Sequence, residues 1–146
     1  MPLRRRDDAV RRHAVAGAVA GVAWLTVEPL LRRMFGHPYS DPQLATAFVT
    51  RGRAQKVLDY ALQASGGAAY GAVFARLGGR STAQATAGVL AENLALMATF
   101  PLFDRYHPDV RDGTWPPLTW NARAAGVSLS GHALYGVLLG LLARRR

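Results

Sequence analysis

The chain contains no cysteine and a single lysine among its 146 residues. Without thiols there is no disulfide framework, no thiolate nucleophile and no cysteine-based metal site. Acidic residues are scarce as well, nine against eighteen basic ones, which leaves a formal charge of +9. Such an excess usually points to nucleic acid. Here the arginines flank apolar segments instead of lining one face of a folded domain, so they read as membrane-surface charge, with no nucleic-acid partner. Also missing are a Ser-His-Asp spacing, a His-Glu-x-x-His motif, a phosphate-binding glycine loop and a kinase-type signature. No catalytic residue and no cofactor is assigned. A haem held between histidines would need two at similar depth, and only His132 lies well inside an apolar segment.

What is present is apolar content, half of the chain, gathered into four segments: 14–31, 57–75, 83–103 and 124–143. Each is close to the roughly 20 residues that a bilayer-spanning helix needs. The predicted fold is all-α, a single integral membrane domain over 1–146 formed by a four-transmembrane-helix bundle. The mean hydropathy is only +0.04, because alanine and glycine build the segments and Arg-rich loops dilute them. A soluble Ala-rich four-helix bundle is the alternative. The basic N-terminus resembles the flank of a signal peptide, but its apolar run continues into Trp24, Glu28 and Pro29 without a small-residue cleavage site, so an uncleaved first helix is expected.

The cluster Arg4, Arg5, Arg6, Arg11 and Arg12 precedes the first span and tends to stay cytoplasmic, and four spans return Arg144 to Arg146 to the same side. Ten basic residues then lie inside and eight outside, a slight bias toward cytoplasmic N- and C-termini. In the first span Gly17-x-x-x-Gly21 offers a small-residue surface for close helix approach, and Pro29 should kink or loosen the turn that holds it. Gln43 to Thr50 reads as a short interfacial helix. Ser81 or Thr82 is placed to cap the third helix, and Trp115 and Trp120 suit the headgroup region.

Two stretches share the pattern Ser-Gly-x-Ala-x-Tyr-Gly: Ser65-Gly-Gly-Ala-Ala-Tyr-Gly71 and Ser130-Gly-His-Ala-Leu-Tyr-Gly136. Around them Pro29-Leu30 answers Pro101-Leu102, and His37-Pro38 answers His107-Pro108. The expectation is an internal two-helix repeat, parallel about an axis along the membrane normal.

Polar residues inside the spans set the candidate site. Asp59, Gln63 and Tyr70 share one helical face, and Ser128, His132 and Tyr135 another. At ~1.5 Å per residue Glu92 and His132 come out level, about 14 and 16 Å above the inner ends of their helices, with Glu28 and Asp59 in an outer layer at about 21 and 24 Å. A membrane interior of Glu28, Asp59, Gln63, Tyr70, Glu92, Asn93, Ser128, His132 and Tyr135 follows. Its functional reading is a proton or cation path through Glu92 and His132. Its structural reading is that Glu92 and His132 satisfy each other while Glu28 bonds Arg32 or backbone freed by Pro29. In the outer loops His37 and His107, with Asp41 and Asp109, could meet as a two-His, two-carboxylate metal site, against the plainer reading of His-Pro as a turn.

Glu28-Pro29-Leu30, Phe100-Pro101-Leu102 and Gly131-His132 with Tyr135 resemble the small multi-span bacterial inner-membrane proteins of unknown function typified by YagU, over most of the membrane part but with shorter loops. The resemblance implies an uncharacterised protein of the bacterial inner membrane and carries no catalytic residues; the arginine-over-lysine and Ala-Gly bias fits a GC-rich bacterial genome. Three functions are open. The first is a structural or accessory component that self-associates as a homo-oligomer or docks to a larger membrane complex. The second is a small proton, cation or solute transporter or channel using Glu92 and His132. The third is a lipid-modifying enzyme with the outer histidines and acids as its site.

Overall fold

Alanine and leucine, strong helix formers, dominate the apolar segments. The computed structural model describes residues 2–144, with side chains from residue 6 onward, and among these there is no strand. Arg145 and Arg146 of the C-terminal basic cluster lie outside the described residues, as do the side chains of Arg4 and Arg5. The chain forms α1 (Pro2–Phe35), α2 (Gln43–Thr46), α3 (Arg53–Arg76), α4 (Thr82–Met97), α5 (Phe100–Tyr106), α6 (Pro108–Arg111) and α7 (Ala122–Arg144). The protein is all-α.

Two of these helices, α1 over Arg6–Phe35 and α7, are long and apolar enough to cross a membrane. Helices α4 and α5, bent by 45°, meet the same test only as one broken span. Helix α3 has the length, 24 residues, but its Arg, Lys, Asp, Gln and Gly content leaves it short of the apolar character. Helix α1 continues through Pro29 to Phe35, whereas Pro101 stands at the start of α5 just past the break after Met97. A proline in a first turn gives up no helical hydrogen bond, which makes it a natural restart.

The long helices lie in the order α3, α1, α7, α4, each packed on the next. Glycine decides how closely. A methyl group built on Gly17 would overlap the Gly67 carbonyl, one on Gly21 the Gln63 carbonyl, and one on Gly71 the His13 carbonyl. Helices α1 and α3 are therefore in backbone contact through small-residue strips on both. At the other side of the bundle, Gly140 and Gly136 of α7 lie against the backbone of Thr82 and Thr86 in α4. Between α1 and α7 the fit is made by side chains, with Ala16, Ala20 and Trp24 buried against Tyr135 and Leu139. The turn from α3 to α4 uses Gly78 at φ +80°, and a capping box follows, in which the Ser81 hydroxyl accepts from Gln84 N and the Gln84 side chain accepts from Ser81 N.

A second core occupies the end of the bundle opposite the α3–α4 turn, the end that the sequence expectation places outside, and the loops build it. Tyr39, Leu44, Phe100, Trp115 and Leu118 are buried there against Ala124 and Val127 of α7. Trp115 is thus a core residue stacked on the His107 ring at 4.7 Å, not a headgroup anchor, while Trp120 stands almost fully in the open. The expected interfacial helix over 43–50 shrinks to α2, with Leu44 and Thr46 buried, because Thr46 donates to Asp59 and the Gln43 carbonyl accepts from the His107 ring.

The two His-Pro pairs do one job. In each, the ring Nδ1 accepts the backbone N–H two residues on, Tyr39 N at 3.0 Å from His37 and Asp109 N at 3.2 Å from His107. Burial first, then the Arg32 and Arg123 guanidinium groups, hold the His37 ring below the ordinary imidazole range. A base depressed in the folded state contributes stability that is present above its ordinary value of 6.5 and lost as pH falls through its native value. His37→Asn, which keeps an acceptor but does not titrate, should therefore remove part of the acid destabilisation, read as a smaller fall in unfolding temperature between pH 7.5 and 5. An unchanged acid limb would count against this role.

Candidate functional site

Three seams of the helix row are closed, and the fourth is not. Helices α3 and α4 are joined by a tight turn, yet above it they separate, leaving a cleft of about 380 Å³ between them. Its floor is Gly21 and Trp24 of α1 with His132 and Tyr135 of α7. One wall is α3, from Leu62 and Gln63 to Tyr70 and Val73, and the other is Val89, Glu92 and Leu96 of α4. Asp41 and Pro42 close the outer end. Tyr70 crosses the cleft, packing its hydroxyl against Gly88 and its ring edge-on to Tyr135 at 5.9 Å.

Asp41 connects this cleft to a buried polar network. The chain leaves α1 through Gly36 at φ +63° and turns back, so that Tyr39, Ser40 and Pro42 are buried inside the outer core. The Tyr39 hydroxyl donates to Asp41 Oδ1, and Ser128 Oγ lies 3.3 Å from the same oxygen and donates to Asn93 Oδ1 at 2.7 Å. His132 Nδ1 lies 3.8 Å from Asp41 Oδ2 and 2.9 Å from the Ser128 carbonyl, to which it donates, leaving Nε2 as the uncommitted nitrogen of a ring that lines the cleft. Burial raises the Asp41 carboxyl above its ordinary range, with His132, Tyr39 and Ser128 each pulling the other way. Burial and the adjacent Asp41 hold the Tyr39 hydroxyl protonated.

The residues expected in the interior divide accordingly. Glu28, Asp59, Asn93, Ser128, His132 and Tyr135 are buried; Gln63 and Tyr70 are half-buried in the cleft wall. Glu92 is not an interior residue. It is exposed on α4, makes no ion pair among the described residues and does not pair with His132, whose acidic neighbour is Asp41 instead. Equal height on two helices did not bring them together, because His132 faces into the bundle and Glu92 faces the mouth. Nor does Glu28 pair with Arg32 among the described residues. Its Oε2 has no partner and Ser40 lies beside it. The weak metal set His37, Asp41, His107 and Asp109 does not converge. Each histidine spends its Nδ1 on its own loop, Asp109 faces Arg51 at 3.2 Å, and no group of three or more His, Asp or Glu among the described residues is placed to hold an ion.

Tyr39, Ser40 and Trp24 were missed as site residues, and Asp41 was placed outside. The signal was the density of turn and cap residues in His37-Pro38-Tyr39-Ser40-Asp41-Pro42. A loop carrying a tyrosine, a serine and an aspartate between two prolines has the donors and acceptors to be buried whole.

Compared with known protein families, curated proteins and solved structures, the chain matches none of them.

Proposed function

We propose that this chain is a multi-pass integral membrane protein of the bacterial inner membrane, its four long helical segments crossing the bilayer with both termini cytoplasmic, and that its α3–α4 cleft binds a small solute. The membrane reading is supported by the outer face of α1, where Val15, Val19, Val22, Leu30 and Met34 lie exposed along one stripe. From Val15 to Met34 that stripe runs about 28 Å, close to the ~30 Å hydrocarbon thickness. Arg11 and Arg12 precede it, and Arg32 and Arg33 stand in its last turn. Helix α3, the least apolar of the four, crosses under the cover of its glycine contact with α1. The parallel two-helix repeat is supported by the shared use of the two His-Pro rings.

The observation that carries the solute-binding reading is the open α3–α4 seam. A bundle that served only as a packed anchor would gain by closing it, since dispersion contacts are what hold helices together in lipid. Instead it keeps Gln63, Tyr70, Glu92 and His132 around a space. The cleft is the binding step of the transport reading, with Glu92 and His132 as parts of its wall rather than as a couple.

Native mass spectrometry of the protein, extracted from its own membrane in a mild detergent, tests this. The expected result is a lone chain or homo-oligomer carrying a small bound molecule, lost in Ala69→Trp, which fills the mouth. A second reading, the accessory subunit, is favoured by the exposed small residues Gly66 and Ala69 on that wall of α3, against which a partner helix could approach closely. A stoichiometric second protein in the native mass, displaced by Ala69→Trp, would replace the first reading with this one.

A further inference from the structure

We propose that the cleft selects an organic cation, a protonated amine or quaternary ammonium group carrying a small apolar body. The proposal rests on the solute-binding reading of the cleft and adds the chemistry of the occupant. In a chain of formal charge +9, the residues lining this space include two carboxylates, Asp41 and Glu92, and no arginine or lysine. The arginines and the lysine whose side chains are described all lie outside it.

The rest of the lining fits a cation with apolar substituents. Trp24, Tyr135 and Tyr70 follow one another across the floor, with ring centroids 6.3 Å apart for the first pair and 5.9 Å for the second. The negative faces of such rings attract an ammonium group, more strongly where water is scarce. Glu92 lines the same cleft as Tyr70 and Tyr135 and makes no ion pair among the described residues. It is the group available to meet a positive charge entering between α3 and α4. Asp41, which accepts from Tyr39 and lies beside Ser128, closes the far end with carboxyl oxygens. Leu62, Val73 and Leu96 take the apolar body. An anion would sit beside two carboxylates, with no arginine or lysine among the described residues that line the space. A bare metal ion would find no group of three ligands among the described residues.

The test uses the full-length protein in nanodiscs of phosphatidylcholine, with empty discs as the blank and titration calorimetry as the readout. Three probes share a benzyl group: benzyltrimethylammonium, benzyl alcohol and benzylsulfonate. Benzyltrimethylammonium should bind, benzyl alcohol at least tenfold more weakly and benzylsulfonate not at all. Glu92→Gln should weaken the cation at least tenfold while leaving benzyl alcohol unchanged, and Glu92→Asp should restore most of the affinity. Because Glu92 is exposed, these variants keep the bundle, checked by circular dichroism. Equal binding of cation and alcohol, indifferent to Glu92→Gln but abolished by Ala69→Trp, would overturn the cation assignment and leave the solute cleft standing. Binding of none of the probes, or cation binding that survives Ala69→Trp, would overturn both.

Discussion

Gly17→Leu should abolish the folded bundle, and even Gly17→Ala should cost about 2–3 kcal/mol, the cost of overpacking a tight site. The added methyl meets the Gly67 carbonyl, which is backbone and has no rotamer by which to yield. Relief requires α1 and α3 to move apart. That movement also loosens the Gly21 and Gly71 contacts and takes the Gly67 carbonyl away from the Tyr135 hydroxyl, which donates to it at 2.8 Å. One glycine therefore holds three helices in register. The control is on the same pair of helices. A Cβ at Gly66 meets nothing within 4 Å, so Gly66→Ala should be neutral or stabilise by up to about 1 kcal/mol through helix propensity. Thermal unfolding in detergent, followed by circular dichroism, gives both numbers; equal effects would mean that the α1–α3 contact is looser than described.

Asp41→Ala is the second large effect, a loss of about 3 kcal/mol from unsatisfied buried partners. The substitution leaves the Tyr39 hydroxyl without its acceptor inside the outer core and takes away the acid nearest His132. Asp41→Asn keeps the shape and an acceptor oxygen, so its loss should be smaller and should depend on pH in a stated direction. Burial raises the native Asp41 carboxyl above its ordinary value of 3.8, so the protonated form is favoured by folding. That contribution is complete below 3.8 and is lost as pH rises through the native value. The neutral asparagine has no such loss, so the gap between Asp41→Asn and the unmodified protein should narrow as pH rises from 4 to 8. A gap that widens would show that the His132 and Tyr39 partners outweigh desolvation.

The helix content was legible because it depends on composition and period, which are local. Ser81 as a cap was legible too, since a capping box is a four-residue pattern. So were Gly17 and Gly21 as packing residues, and Ser128, His132 and Tyr135 as one buried face, because spacings of four and seven fix a helical face wherever the helix lies. The break after Met97 was not, although Pro101 marked the place: the same residue type is carried inside α1 at Pro29. Whether a helix tolerates a proline depends on the neighbours that hold its two halves in line.

Glu92 and His132 show where sequence reasoning ends. Their heights along two helices follow from rise per residue, but whether they meet depends on the rotation of each helix about its axis and on which helices are adjacent. The sequence by itself determined that the chain is helical, where its long segments fall, which strips permit close approach, and that its basic residues are gathered outside the apolar segments. Only the tertiary structure decided that α1 and α7 are central, that α3 and α4 stand apart, and that the loop bearing Asp41 folds inward to reach His132. Periodicity is written into neighbouring residues, whereas helix order and loop burial arise from contacts between residues as distant as Asp41 and Ser128, whose pairing is chosen by packing and by the need to satisfy every buried polar group.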